Sequence, residues 1–264
     1  MTGSSAERYV LAIDMGSGSV KAALVSNGGE VVAGASRAID TTLLPDGGAE
    51  QNPDDWWAAV LDVAKAAIKE ASLPPTSIAA IKCVTQWAVT TPVDEAGNAL
   101  SRAISWMDTR GGPYARALVD GRIRVGGYDI FKLRRWIKLT GGCPMRSGVD
   151  GLGHILYLKH ARPDVYARTH KFLEPMDYLN LRFTGKFAAS YGTIFPYWLT
   201  DNRNPDRIDY DPSLLGLTGI DRAKLPDLLP VDAILLLYAG AGAVWVLNTI
   251  SGRGTTLKFT DPIL

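Results

Sequence analysis

The chain of 264 residues has an ordinary globular composition and is long enough for one large or two modest domains with a substantial core. It carries 28 Lys and Arg against 27 Asp and Glu, without a block of like charges, which argues against nucleic acid or an anionic membrane as a partner. With two cysteines, Cys83 and Cys143, and a short polar start without a signal segment, we expect free thiols and a cytoplasmic location. The three histidines match no zinc spacing.

The first informative stretch, residues 9–25, reads YVLAIDMGSGSVKAALV. Two β-rich runs around residues 16–19 predict a hairpin, because glycine adopts the positive φ of tight turns. Asp14 lies at the rim of a turn rich in N–H and hydroxyl groups, which can bind phosphate beside a hydrated Mg²⁺. The residues alone leave a second interpretation open, a hairpin with Gly and Ser as mere turn formers. Neither a Walker loop nor a dinucleotide fingerprint fits.

The next elements predict an α/β order. Residues 30–39 alternate and predict a third antiparallel strand, and Asn52 caps a helix expected over residues 53–71. The apolar residues of that helix recur every three or four positions, so one stripe is buried. Trp56 and Trp57 begin the stripe and are expected to pack the helix onto the sheet.

A further apolar strand is predicted over residues 78–84, and a second over residues 88–93. Gln86 and Trp87 follow the end of the first of these strands. Open α/β sheets bind ligands at that edge, so both side chains are candidates for ligand contact.

Residues 103–106 predict a short strand that leads into Asp108 and Arg110. Two interpretations stay open for this pair: a salt bridge, or a polar clamp in which the aspartate accepts from the hydroxyls of a small ligand. Residues 121–151 carry scattered basic side chains, which predict a solvated helical insertion rather than a nucleic-acid surface.

The later part of the chain predicts a helix over residues 151–160, a short strand over 171–173 and a helix over 175–183. Asp177 lies in the first turn of the last helix, where the macrodipole favours a carboxylate. Residues 188–198 are small, polar and aromatic, and we expect them to form a pocket wall.

Residues 233–252 carry no charge and contain the run LLLYAGAGAVWVL. The continuous apolar core is about a dozen residues, against the roughly 20 that cross a bilayer. The pattern therefore predicts a buried segment or an exposed apolar tail.

Five motifs in this order resemble the amino-terminal half of the FGGY family of carbohydrate kinases, and most of all its xylulokinase-like members. They are Asp14-Met15-Gly16-Ser17 with Lys21, GAEQNPDDWW over residues 48–57, Thr85-Gln86, AISWMDTR over residues 103–110, and LEPMDYLNLRFTG over residues 173–185.

The resemblance implies a ribonuclease-H-like α/β fold of the actin/Hsp70/sugar kinase superfamily, with a mixed sheet and flanking helices. It implies an FGGY-type amino-terminal kinase domain over residues 1–230. Residues 231–264 are then expected to be a remnant of the carboxy-terminal domain or a disordered apolar tail.

The resemblance also implies ATP and Mg²⁺ as cofactors and a sugar, a pentulose or related polyol, as the substrate. Asp14 would hold Mg²⁺ through water. Phosphates would be approached by Gly16, Ser17, Ser19 and Lys21, and sugar would be bordered by Gln86, Trp87, Asp108, Arg110 and Asp177. The uncovered domain face and the apolar tail predict self-association, such as a homodimer.

The chain departs from the family pattern at two places. Gln86-Trp87-Ala88 replaces the common Gln-Met-His, so the imidazole at the sugar is missing. Family members are also about twice as long, and their second domain supplies the catalytic aspartate; Leu237 and Tyr238 stand where a Gly-Asp pair would precede AGAGAV. We therefore expect a sugar kinase incomplete in this chain by deletion or frame change, without an identifiable catalytic base. The alternative is a non-catalytic fragment that binds sugar or phosphate, or docks with a partner.

Overall fold

The described part of the protein begins with five strands, which are followed by a mixture of helices and short strands. The computed structural model describes residues 8–230, 234–236 and 246–247. The strands are β1 (Tyr9–Met15), β2 (Ser19–Ser26), β3 (Val31–Ala38), β4 (Thr42–Leu43), β5 (Ala49–Gln51), β6 (Ile78–Thr85), β7 (Thr91–Val93), β8 (Ala103–Ile104), β9 (Arg124–Val125), β10 (Tyr128–Asp129), β11 (Lys171–Leu173), β12 (Ala188–Ser190), β13 (Thr200–Asp201), β14 (Asp209–Tyr210), β15 (Asp227–Leu229), β16 (Ile234–Leu236) and β17 (Val246–Leu247). The helices are α1 (Pro53–Ala71), α2 (Gly112–Val119), α3 (Ile130–Thr140), α4 (Gly151–Ala161), α5 (Pro163–Arg168), α6 (Pro175–Thr184), α7 (Tyr191–Ile194) and α8 (Pro212–Thr218).

The main sheet has the strand order β16-β17-β6-β1-β2-β3. β1, β2 and β3 are antiparallel neighbours, whereas β6 lies parallel to β1 because α1 carries the chain back across the sheet. Alternate residues of β1 are fully buried, because successive side chains of a strand point to opposite faces of the sheet. The predicted hairpin and the mixed sheet with flanking helices are confirmed, but neither Gly16 nor Gly18 takes the positive φ on which the hairpin prediction was based.

Helix α1 has the boundaries that its sequence predicts. The Asn52 side chain accepts a hydrogen bond from the Asp54 backbone N–H at 3.2 Å, and Ser72 ends the helix with a φ of 53°. Its two tryptophans join α1 to α6 through edge-to-face contacts, Trp56 with Tyr178 and Trp57 with Phe183, at centroid distances of 6.1 and 4.9 Å. The predicted packing role of both indoles is confirmed.

The prediction of a solvated insertion over residues 121–151 is wrong in one respect. The segment contains the β9–β10 hairpin and α3, and α3 buries Trp136 and Leu139 in a second hydrophobic core with α4 and α8. The Trp136 indole N–H also donates to the Trp198 carbonyl at 3.1 Å. Within α3, Arg134, Arg135 and Lys138 are exposed, whereas Trp136 and Leu139 are buried, so the helix is solvated on one side only.

Two predicted strands are shorter in the structure. After β6 the chain turns at Ala88, whose φ of 57° is left-handed, so β7 begins at Thr91 rather than at residue 88. β7 then pairs with β11 instead of joining the main sheet. β8 ends at Ile104, because the chain bends towards Asp108.

Of the predicted tail, residues 231–264, the structure describes two short strands. β17 lies parallel to β6, and β16 is antiparallel to β17. The predictions about residues 237–244 and about the order of the tail lie outside the described residues. None of the helices given above is long and apolar enough to cross a membrane.

The two cysteines differ in accessibility, and this makes the predicted free thiols testable. Both are free; Cys83 is buried, and burial raises the pKa of its thiol to about 12, whereas Cys143 is half-buried. Thiolate is the reactive form, so we expect Ellman's reagent to modify one thiol in the native protein and both in urea. Cys143→Ser should abolish native modification; rapid native modification of Cys83 would contradict the burial.

Candidate functional site

The carboxyl ends of β1 and β6 meet at one edge of the main sheet, because these neighbouring strands are parallel. Asp14 pairs with Val84 in the register, and the Gln86 backbone N–H donates to the Met15 carbonyl at 2.7 Å. A cleft of about 610 Å³ opens at this edge. It is lined by Asp14, Gly16, Ser17, Thr85, Gln86, Trp87, Ala88, Trp106, Met145 and Val149.

The turn between β1 and β2 presents an exposed carboxylate to this cleft. The Gly16 N–H donates to the Ser19 carbonyl at 2.9 Å, which closes the turn. Asp14 and Lys21 are direct partners across the hairpin, and both are exposed. Mg²⁺ is commonly bound by one or two carboxylates together with water and phosphate oxygens, so an exposed carboxylate beside an open turn fits a hydrated Mg²⁺. Ser19 and Lys21 lie beyond the turn, and neither is among the residues described along the cleft.

A chain of hydrogen bonds ties the turn to the end of β6. The Trp106 indole N–H donates to Ser17 Oγ at 3.0 Å, and Ser17 Oγ donates to Gln86 Oε1 at 3.0 Å. Gln86 Nε2 donates in turn to Gln51 Oε1. The structure therefore brings together Asp14, Ser17 and Gln86, which the sequence had placed in two separate motifs.

Gln51 is the buried centre of this arrangement, and sequence reasoning missed its role. Gln51 Nε2 donates to the Ser17 carbonyl at 2.7 Å and to Thr41 Oγ1 at 2.8 Å. Its Oε1 also accepts from the Trp56 indole N–H at 3.1 Å. The signal was present, since Gln51 and Trp106 both lie in motifs quoted above, but neither motif shows that these residues meet at Ser17.

Trp87 forms one wall of the cleft and is held from behind. Its indole stacks on Phe195 at a centroid distance of 6.1 Å and an interplanar angle of 21°, and its N–H donates to the Thr193 carbonyl at 3.3 Å. None of residues 188–198 is among those along this cleft, so they do not form its wall as predicted; instead, Thr193 and Phe195 support Trp87 from behind.

Asp108 and Arg110 form a buried ion pair outside this cleft. Asp108 Oδ2 accepts from the Ala49 N–H at 2.9 Å and from Arg110 Nη2 at 2.6 Å, and Arg110 Nη2 also donates to Glu50 Oε1 at 2.6 Å. Burial opposes the charge of Arg110, but the hydrogen bonds to Asp108 and Glu50 outweigh it and raise the pKa of the guanidinium. The salt-bridge interpretation is observed, and Arg110 lines a separate cleft of about 560 Å³ with Tyr157. Contact of Asp108 or Arg110 with sugar stays a prediction.

Asp177 lies in the first turn of α6 as predicted, but fully buried behind the cleft wall. Its Oδ1 accepts from Thr193 Oγ1 at 2.9 Å, and Thr193 in turn holds Trp87. The neighbouring Glu174 accepts from the Val89 N–H at 3.2 Å. Burial raises the pKa of both carboxyl groups well above their ordinary values. In this arrangement Asp177 reaches the cleft through Thr193, and direct substrate contact remains a prediction.

His154 is a buried base with an unused nitrogen. Its Nδ1 lies 3.1 Å from Thr90 Oγ1, and its Nε2 has no hydrogen-bond partner among the residues that the structure describes. Burial lowers its pKa to about 4, an effect that Asp108 opposes and Arg110 reinforces. The imidazole is thus neutral in the fold at a pH where it is protonated in the unfolded chain.

We expect His154 to make the protein less stable in mild acid. Between pH 6.5 and about 4 the unfolded chain binds a proton at His154 that the folded protein excludes. The free energy of unfolding therefore decreases by up to about 3 kcal/mol as the pH is lowered through this range. Glu174 and Asp177 act in the opposite sense, since their raised pKa values favour the fold at low pH. Urea unfolding at stepped pH should show that His154→Gln loses the acid-side slope relative to the native sequence. The exposed His160 gives the control His160→Gln; equal slopes in all three proteins would contradict the prediction.

Solved sugar kinases share this fold. The gluconate kinase of Lactobacillus acidophilus superposes with a TM-score of 0.74 at 19% identity, over 88% of this chain and 44% of that one. The ligand-bound xylulose kinase of the same organism superposes with a TM-score of 0.74 at 18% identity, over 87% and 43%. The predicted actin/Hsp70/sugar kinase fold class is confirmed.

The chain belongs to the FGGY family of carbohydrate kinases, because residues 9–241 match the family model for the N-terminal domain. It is 28% identical to the xylulose kinase of Bacillus subtilis over 249 residues, 88% of this chain and 47% of that protein. It is 30% identical to the glycerol kinase of Xanthobacter autotrophicus over 234 residues, which cover 83% of this chain and 43% of that protein. The chain spans about half the length of the curated relatives it matches.

Proposed function

We propose that this chain is the sugar-facing and phosphate-facing half of an ATP-dependent carbohydrate kinase, which transfers the γ-phosphate to a hydroxyl of a pentulose or related polyol. The observation that carries the proposal is the hydrogen-bond chain from Trp106 through Ser17 and Gln86 to Gln51. It holds the phosphate turn and the end of β6 in one cleft beside the exposed Asp14.

Different residues of the cleft would bind the metal ion, the phosphates and the sugar. The Asp14 carboxylate would hold Mg²⁺ through water, and when bound the ion neutralises charge on the phosphates. The backbone of Gly16 and Ser17 would approach the phosphates, with Ser19 and Lys21 behind them. Gln86 and Trp87 would orient the sugar on the opposite side. Phosphoryl transfer depends mainly on positioning and charge neutralisation, which a fixed turn supplies.

Transfer also needs a base for the attacking hydroxyl. Among the residues described along the cleft, the one carboxylate is Asp14, which this proposal assigns to the metal. Turnover therefore needs a base from elsewhere, which the family resemblance places in the second domain. This favours a second candidate for the chain by itself: sugar and nucleotide binding without turnover. Self-association stays a prediction, to be measured by light scattering.

The test compares nucleotide binding with and without the Asp14 carboxylate. In Mg²⁺, Asp14→Asn should weaken ATP binding about ten-fold or more, because the isosteric amide cannot balance the ion's charge, and in EDTA the difference should vanish. Calorimetry measures binding, and ADP release with a panel of pentuloses and polyols measures turnover. The control is Asp62→Asn, an exposed carboxylate on α1. Equal affinities of Asp14→Asn and Asp62→Asn would refute the assignment of Asp14.

A further inference from the structure

Two half-exposed indoles face the cleft, and each is held in place. Trp87 is 50% exposed and Trp106 is 46% exposed. The Trp87 N–H donates to the Thr193 carbonyl at 3.3 Å, and the Trp106 N–H donates to Ser17 Oγ at 3.0 Å. Exposed side chains fixed in this way lose little further freedom when a ligand covers them, so they form a preorganised surface.

The support of Trp87 leaves one of its faces to the cleft. Phe195 stacks behind it, and Trp198 contacts Phe195 edge-on at a centroid distance of 4.8 Å. Ala88 follows with only a methyl side chain, in a left-handed conformation with a φ of 57°. A non-glycine residue in this conformation is uncommon and strained positions cluster at functional sites, so the bend that sets Trp87 at the mouth of the cleft carries a cost.

The charge of the cleft restricts its ligand. Asp14 is the one ionisable side chain among the residues described along it, and the remaining polar side chains there are a glutamine and hydroxyl groups. With Asp14 committed to Mg²⁺ in the proposed function, an acidic or phosphorylated sugar would find no cationic side chain among these residues. Hydroxyl groups suit such a surface, because Gln86 and Thr85 can both donate and accept.

We propose that this cleft selects a neutral carbohydrate in closed-ring form, whose apolar C–H face stacks on Trp87 while its hydroxyls reach Gln86. The inference rests on the proposed function, and within that function it favours cyclic sugars over open-chain polyols. The face of an indole carries the negative part of the ring quadrupole, and the C–H groups of a sugar ring are weakly positive, so flat contact is favourable. An open chain presents no continuous C–H face and loses more conformational freedom on binding. Trp87 is then a specificity-determining residue.

Matched ligand pairs separate ring form from composition. We would titrate the full chain, followed by calorimetry and tryptophan fluorescence, with 1,5-anhydro-D-glucitol against D-glucitol and with methyl β-D-xylopyranoside against xylitol. D-Gluconate serves as the anionic comparison and adenosine as the aromatic one. At least one ring-locked member should bind about ten-fold more tightly than its open-chain partner, and D-gluconate should bind no better than D-glucitol.

Two variants of Trp87 and one control variant test whether the preference for ring-locked ligands depends on the Trp87 indole. Trp87→Ala should raise the Kd of the preferred ring-locked ligand about ten-fold and reduce the preference to near unity. Trp87→Phe keeps a flat aromatic face and should retain most of it, which also controls for general damage to the fold. Phe131→Ala removes an exposed aromatic residue far from this cleft and should change neither Kd.

Each contrary result is distinct. Equal or tighter binding of the open-chain member in both pairs overturns the ring-form inference and leaves the proposed kinase function intact. An unchanged preference in Trp87→Ala overturns the role of the indole. If adenosine binds and none of the carbohydrates does, the exposed indoles bind a nucleobase rather than a sugar, and the inference is wrong. Loss of all carbohydrate binding, with Mg²⁺-dependent ATP binding preserved, removes the sugar assignment of this cleft altogether.

Discussion

Replacement of Arg110 by methionine is expected to lower the free energy of unfolding by about 3 to 5 kcal/mol. The Arg110 side chain is 8% exposed and joins the fully buried Asp108 to Glu50, so its removal leaves a buried carboxylate without its cation. Asp108 also accepts from the Ala49 N–H, and loosening of this contact would displace the segment that carries Trp106. Urea unfolding measures the change.

Arg102 supplies a matched control, since it pairs with the same Glu50 at 3.9 Å from a more exposed position. Arg102→Met should cost less than about 1 kcal/mol. The double variant Asp108→Leu/Arg110→Met should regain part of the loss, because no unpaired charge is then buried. Equal costs for Arg102→Met and Arg110→Met would show that burial adds nothing to the ion pair.

Gln51→Leu is expected to cost about 4 kcal/mol and to weaken Mg²⁺-dependent ATP binding. The substitution removes four hydrogen bonds of the buried Gln51 side chain, each worth about 1 kcal/mol, and leaves the Trp56 indole N–H without its acceptor. It also releases the Ser17 carbonyl and the Gln86 amide, so the turn between β1 and β2 loses its fixed position. Calorimetric titration with ATP and urea unfolding measure the two effects separately.

Thr41→Val is the matched control for Gln51. It removes one acceptor of the Gln51 amide and a 3.4 Å hydrogen bond from the Thr41 hydroxyl to the Ser17 carbonyl. Because Gln51 still donates to that carbonyl at 2.7 Å, Thr41→Val should cost about 1 to 2 kcal/mol with ATP affinity nearly unchanged. A Gln51→Leu protein that is destabilised but binds ATP normally would limit Gln51 to a structural role.

The features that the sequence predicts well are local. The hairpin over residues 9–25 and helix α1 follow from turn residues, caps and apolar periods, each of which acts within a few positions. The position of Gln86 beside Asp14 could also be inferred, because parallel neighbouring strands end at the same edge. These elements place the cleft without any knowledge of long-range contacts.

The features that the sequence could not give depend on contacts between distant segments. Gln51 and Trp106 meet Ser17 across separations of 34 and 89 residues, and no local pattern encodes that convergence. Asp177 has the helix position that was predicted, yet whether its carboxylate points to the cleft or behind it depends on where α7 packs. The burial of Trp136 likewise depends on α4 and α8, which the basic residues of α3 do not reveal.

The hydrogen-bond chain at the cleft also has a direction. An indole N–H can only donate, so the N–H groups of Trp106 and Trp56 at its two ends fix the orientation of both amide groups between them. The proton of the Ser17 hydroxyl is therefore committed to Gln86, and one of its lone pairs to Trp106. What remains to a ligand is a single lone pair, which suits a sugar hydroxyl or a metal-bound water and repels a bare phosphate oxygen. If the proposed function is right, a phosphate at this turn would be bound by backbone N–H groups other than that of Gly16, which donates to the Ser19 carbonyl. The Ser17 hydroxyl would then accept from a ligand but not donate to it.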